Sequence, residues 1–113
     1  MKSVHIPTLI FHAALTVFGA LTLNHYHDAF LSIAALALLV HAVWCARSKQ
    51  NMLPAHLIGC AAQFVIYQFG IINVHSGAFG LGGGEFALFF YEIAMAISCV
   101  IELVIWLVKL MKK

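Results

Sequence analysis

The chain has 113 residues, 64% of them hydrophobic and 9% charged, with six Lys or Arg against four Asp or Glu. A soluble domain carries roughly 25% charged residues, so this composition excludes an ordinary water-soluble globule and points to lipid as the solvent. The net charge of +2 comes from residues at the chain ends and in one turn, a pattern of membrane orientation rather than nucleic-acid binding.

The first apolar run covers residues 4–23 and follows Lys2. A cleavable signal peptide is the competing reading of this segment, but Thr8, His12 and Thr16 interrupt it where an uninterrupted apolar stretch is needed. The second run, 29–46, ends at Arg47 and Lys49. Asn51 and Pro54 open the third, 53–74, since Pro is tolerated in a first helical turn. The fourth, 85–108, is followed by Lys109, Lys112 and Lys113. Each run is close to the ~20 residues that cross a ~30 Å hydrocarbon core. Backbone groups in lipid must bond within their own segment, so all four are expected to be helices.

The expected fold is therefore an all-α integral membrane protein, a single domain over residues 1–113 with four transmembrane helices in an antiparallel bundle. The two breaks at 24–28 and 76–84 carry no basic residue, whereas the chain ends and the 47–49 turn carry all of them. That asymmetry places both termini in the cytoplasm. Trp44 and Trp106, each three residues before a basic residue, fit an aromatic belt at the same interface. The expected location is the inner membrane of a bacterium.

Polar and small residues recur at helical spacing on one face of each run. They are His5, Thr8, His12, Thr16 and Gly19 in the first, and Ala34, Ala37, His41 and Cys45 in the second. The third has His56, Gly59, Cys60, Gln63, Tyr67 and Gly70. In the fourth, Glu85, Glu92, Ala96 and Cys99 fall on one line, with Glu102 about 80° round the helix from Glu92. Counted from the inner interface, His12, His41, Cys60 and Glu102 lie at one level, roughly 10 Å deep at 1.5 Å per residue. Ionisable residues at membrane depth are costly and face a partner or a path. Glu92, Glu102, His12, His41, Gln63 and Tyr67 are accordingly the candidate proton or cation path.

Two other chemistries compete for the histidines. His12 and His41, at matched depth on neighbouring antiparallel helices, suit two axial ligands of a haem, with Gly19, Ala34, Ala37 and Gly59 leaving room. His25, His27 and Asp28, with His75 in the other outer loop, offer imidazole and carboxylate to a divalent metal. A chain without a soluble domain can also act by lateral association, as a homo-oligomer, as a subunit of a larger membrane complex or as a holin-like hole-forming protein. Catalysis has little support: there is no HExxH, no Ser/His/Asp spacing, and Cys45, Cys60 and Cys99 lie in apolar runs without a CxxC pair. The Gly-rich stretch 76–84 lacks the phosphate-loop pattern and reads as a flexible hairpin, or as a re-entrant segment beside Glu85.

Overall fold

The computed structural model describes residues 5–23, 25–71 and 84–112. Four helices account for nearly all of them: α1 (Ile6–Thr22), α2 (His27–Arg47), α3 (Leu53–Gln68) and α4 (Gly84–Met111). No strand occurs among the described residues. Two segments, Asp28–Arg47 and Ala87–Met111, are long and apolar enough to cross a membrane, while the apolar α1 is shorter at 17 residues. The helices lie along an elongated body of 53 × 23 × 18 Å, with α1 packed on α2 and α3, and α4 packed on α2 and α3.

Local chemistry sets the helix ends. Pro7 occupies the first turn of α1, where its missing N–H leaves no bond unmade. The α2 C-terminus is capped from another helix. Lys109 Nζ of α4 donates to the carbonyls of Cys45 and Ser48, both at 2.6 Å, placing a cation where the helix dipole is negative. Asn51 Oδ1 accepts from Leu53 N–H at the start of α3, with Pro54 in the first turn, as the sequence suggests.

The end of α3 differs from the sequence expectation. The third run was expected to be helical through residue 74, but the helix stops at Gln68. Gly70 adopts φ 72°, its N–H donates to Tyr67 O, and Ile71 N–H donates back to Ile66 O. These two bonds form a Schellman motif, which requires a left-handed residue that Gly supplies without strain. Gly70 therefore terminates the helix and does not extend its small-residue face. The fourth helix is longer than the expected 85–108, running to Met111.

The interior is divided lengthwise. Toward the Tyr26 end, Leu15, Leu23, Phe30, Ala34, Leu38, Ala87, Leu88, Tyr91 and Met95 form an apolar core. Phe30 stands edge-on to Tyr91 at 5.0 Å and close to Phe18 at 5.6 Å. Toward the opposite end, where α1 begins and α2 and α4 finish, a polar group is buried among Ala42, Cys45, Met52, Leu53 and Ala55: Thr8, His12, His41, His56, Gln63, Ser98 and Glu102. The exterior has the opposite character, with Ile10, Leu21, Leu36, Val40, Phe64, Phe89, Ile97 and Val104 all largely exposed.

Candidate functional site

Each helix contributes to the polar half of the core. Three-residue and four-residue spacing puts His5, Thr8 and His12 on the buried side of α1, with Thr8 and His12 at most 2% exposed. The spacing on α4 is 91–95–98–102, so Tyr91, Met95, Ser98 and Glu102 form its inward line. This is a different face from the expected Glu85–Glu92–Cys99 line. The two carboxylates Glu92 and Glu102 diverge around the helix, so only one can enter the centre. Glu102 does so, and Glu92 stays at the rim, where Gln68 Nε2 donates to both its oxygens at 2.8 and 3.0 Å.

The central contact joins His41 and Glu102. His41 Nδ1 lies 2.6 Å from Glu102 Oε2, and neither side chain has any exposed surface. A buried carboxylate is tolerated only with a close, hydrogen-bonded partner, and the imidazole provides it. The other ring nitrogen of His41 is 3.0 Å from Thr8 Oγ1, which is 2.7 Å from His5 Nδ1. A continuous line thus runs from half-buried His5, at the start of α1, to fully buried Glu102. Phe11 stacks on His41 at 4.9 Å and Trp44 stands edge-on to it at 5.4 Å. Trp44 also meets the His5 ring at 5.1 Å, so aromatic rings wall this line along its length.

A second line begins beside the first. His56 stacks with His41, ring centres 4.9 Å apart and planes 17° from parallel. Its Nε2 is 3.6 Å from Glu102 Oε2 and 2.9 Å from Ser98 Oγ. Ser98 in turn donates to Met95 O. His56 Nδ1 is 3.0 Å from His12 Nε2, and His12 Nδ1 donates to Gln63 Oε1 at 2.6 Å. Tyr91 O–H donates to the same Gln63 oxygen at 3.1 Å. The His12 ring lies directly against Gly59, where a Cβ would overlap the imidazole. Two buried atoms remain without a partner among the described residues: Gln63 Nε2 and Glu102 Oε1.

The expected path residues therefore divide. His12, His41, Gln63 and Glu102 share this centre. Tyr67 sits at its edge, donating to Thr16 O at 2.9 Å. Glu92 lies outside it. His5, Thr8, His56, Tyr91 and Ser98 belong to it although none was singled out as a path residue. His56 had a signal in its four-residue spacing from Cys60, whose Sγ is 3.6 Å from His56 Nε2.

The haem reading meets a different geometry. The His12 and His41 rings are 6.1 Å apart, but every nitrogen of both already has a buried polar partner, and the space at Gly59 is filled by His12 itself. An iron between them would require each ring to abandon a partner. Of the rim metal candidates, His25 is exposed. His75, the side chain of His27 and residues 76–83 lie outside the described residues. Two ligand-bearing groups do assemble among the described residues, His41–His56–Glu102 and His12–His56–Cys60, each of buried residues with donor atoms within 4.8 Å of one another.

Comparison of the chain with protein-family models, with curated proteins and with solved structures finds no match.

Proposed function

We propose that this chain is a four-span protein of a bacterial inner membrane, with both termini cytoplasmic, that transfers protons through a buried histidine–glutamate centre. The inverted partition supports the bilayer setting: Leu, Ile, Val and Phe side chains face outward while Thr, His, Gln and Glu are enclosed. An exterior of this kind also suits lateral association with further copies or with other membrane subunits.

The observation that carries the proton-transfer reading is the unbroken line His5–Thr8–His41–Glu102. Every member can both give and receive a proton, and imidazole titrates near neutrality in water. In one arrangement His5 Nδ1–H donates to Thr8, Thr8 O–H to His41 Nε2, and His41 Nδ1–H to the Glu102 carboxylate. Shifting each proton one bond along reverses all three donors. Glu102 then carries the proton, Thr8 and His41 are unchanged in charge, and His5 has lost one proton. His5, at the open end of α1, recovers that proton from water. Transfer onward from Glu102 crosses the 3.6 Å to His56, which pairs with His12. Beyond them the Phe18–Phe30–Tyr91 ring cluster closes the other half, acting as a dry gate that must part for protons to leave.

The test is reconstitution in liposomes with an internal pH dye and an imposed potassium diffusion potential. Wild-type vesicles are expected to acidify faster than protein-free ones, with the excess lost in Glu102→Gln and strongly slowed in His41→Gln. Wild-type flux equal to empty vesicles, or unchanged flux in Glu102→Gln, would overturn the proposal.

A further inference from the structure

We infer that His41, His56 and Glu102 form a binding site for a divalent transition-metal ion, with Zn2+ as its representative. Three observations lead to this. The first is the donor set. His41 Nδ1, His56 Nε2 and Glu102 Oε2 come from three helices and lie within 4.8 Å of one another, all buried. Two imidazoles and a carboxylate suit a borderline cation such as Zn2+. Bonds of about 2.0–2.1 Å in a tetrahedral arrangement put ligand atoms about 3.3 Å apart. The present separations from Glu102 Oε2, 2.6 Å to His41 and 3.6 Å to His56, fall on either side of that value. An ion is accommodated by opening the first, slightly closing the second and turning one imidazole out of its stack.

The second observation is the outer hydrogen-bonding shell. Imidazole ligands almost always donate their other N–H to a fixed acceptor, and here both acceptors exist. His41 Nε2 faces Thr8 Oγ1 at 3.0 Å, and His56 Nδ1 faces His12 Nε2 at 3.0 Å. His12 is itself held by Gln63 Oε1. Ligation by His41 Nδ1 needs only the tautomer with the proton on Nε2, which Thr8 can accept. The third observation is that Glu102 Oε1 is buried with no partner among the described residues. A carboxylate satisfied on one oxygen alone is costly, and an ion coordinated through both oxygens would engage Oε1 as well as Oε2. Ser98 loses nothing essential, because its hydroxyl already donates to Met95 O.

An ion here would replace the His41–Glu102 hydrogen bond of the proposed proton line, but binding is measured separately from proton transfer. The purified, chelator-stripped chain in detergent is dialysed against Zn2+ for metal analysis and titrated with Co2+ for its visible spectrum. One ion per chain and the intense bands of tetrahedral Co2+ are expected. Glu102→Gln and His56→Gln should each weaken binding at least about tenfold, while His25→Ala binds like the wild type. Absence of binding in the wild type overturns the inference whether or not the variants fold. So does wild-type affinity in Glu102→Gln. Loss of binding in Cys60→Ser with retention in Glu102→Gln also overturns it, by assigning the ion to His12, His56 and Cys60.

Discussion

Substituting Gly59 by Ala tests the seating of His12 through one methyl group. An added Cβ would occupy the space of the His12 ring, meeting its Cδ2, Cγ and Cβ. These atoms are not the far end of a flexible chain, so the imidazole must move as a body. It then gives up the 2.6 Å bond to Gln63 and the 3.0 Å bond to His56. Each loss leaves buried polar groups unpaired, at about 1–3 kcal/mol apiece. Against this stands a gain of about 1 kcal/mol from replacing Gly by Ala inside a helix. The net expectation is a destabilisation of roughly 1–5 kcal/mol. In a His12→Ala background the ring overlap and both bonds are gone and only the close approach to the residue-12 Cβ remains, so Gly59→Ala should cost far less there than in the wild type. The same substitution is thus expected to have clearly unequal effects in the two backgrounds, with the larger cost in the wild type. Reversible unfolding of the four proteins of this double-mutant cycle in mixed micelles measures both values. If Gly59→Ala stabilises the wild type, or has equal effects in both backgrounds, His12 is not seated against α3 and the polar centre is wrongly assembled.

Three further outcomes follow from the helix ends and the edge of the centre. Gly70→Ala forces a side chain into a left-handed backbone and should cost about 1–2 kcal/mol. Gly70→Asn should cost less, since Asn tolerates that conformation; equal stability of all three proteins would exclude the Schellman end. Lys109→Met removes both bonds to the α2 carbonyls and should cost about 1–3 kcal/mol. Faster amide exchange should be confined to the last turn of α2, and unchanged exchange there would refute the cap. Tyr91→Phe deletes the donor to Gln63 but leaves His12 bonded to the same oxygen. Its cost should stay at about 0.5–1.5 kcal/mol, well below that of Gly59→Ala in the same unfolding assay.

The four helices could be read from the apolar runs, and α1's inward face from the spacing of Thr8, His12 and Gly19. The end of α3 could not, because Ile71 and Ile72 continue the apolar composition past Gly70 and hide a stop set by backbone geometry. The α4 face was misread for a related reason. The acidic residues drew attention to the line through Glu85 and Glu92, whereas the buried line mixes Tyr91, Met95 and Ser98 with Glu102 and has no uniform chemical character. His56 stood in the sequence only as one member of the polar face of its run, and Cys60 represented that run in the layer of matched depth. Met52 and Leu53 are already buried, so α3 begins inside the packed core and His56 lies deeper than its sequence position suggests. The pairing of His41 with Glu102 was legible in outline from their matched depth. The bridge through Thr8 to His5 became visible only when side-chain atoms were placed.

On the proposed four-span reading, the early stop at Gly70 also bears on electrical behaviour. A 16-residue α3 is about 24 Å long, against about 42 Å for the 28-residue α4. In a bilayer of ~30 Å hydrocarbon thickness, lipid beside the shorter helix must thin or admit water to relieve the mismatch. On that reading the insulating layer is thinner beside α3 than beside α4. A full crossing is worth about 2.3 kcal/mol per charge at 100 mV. On the proposed reading, a thinner layer beside α3 concentrates that work into fewer ångströms.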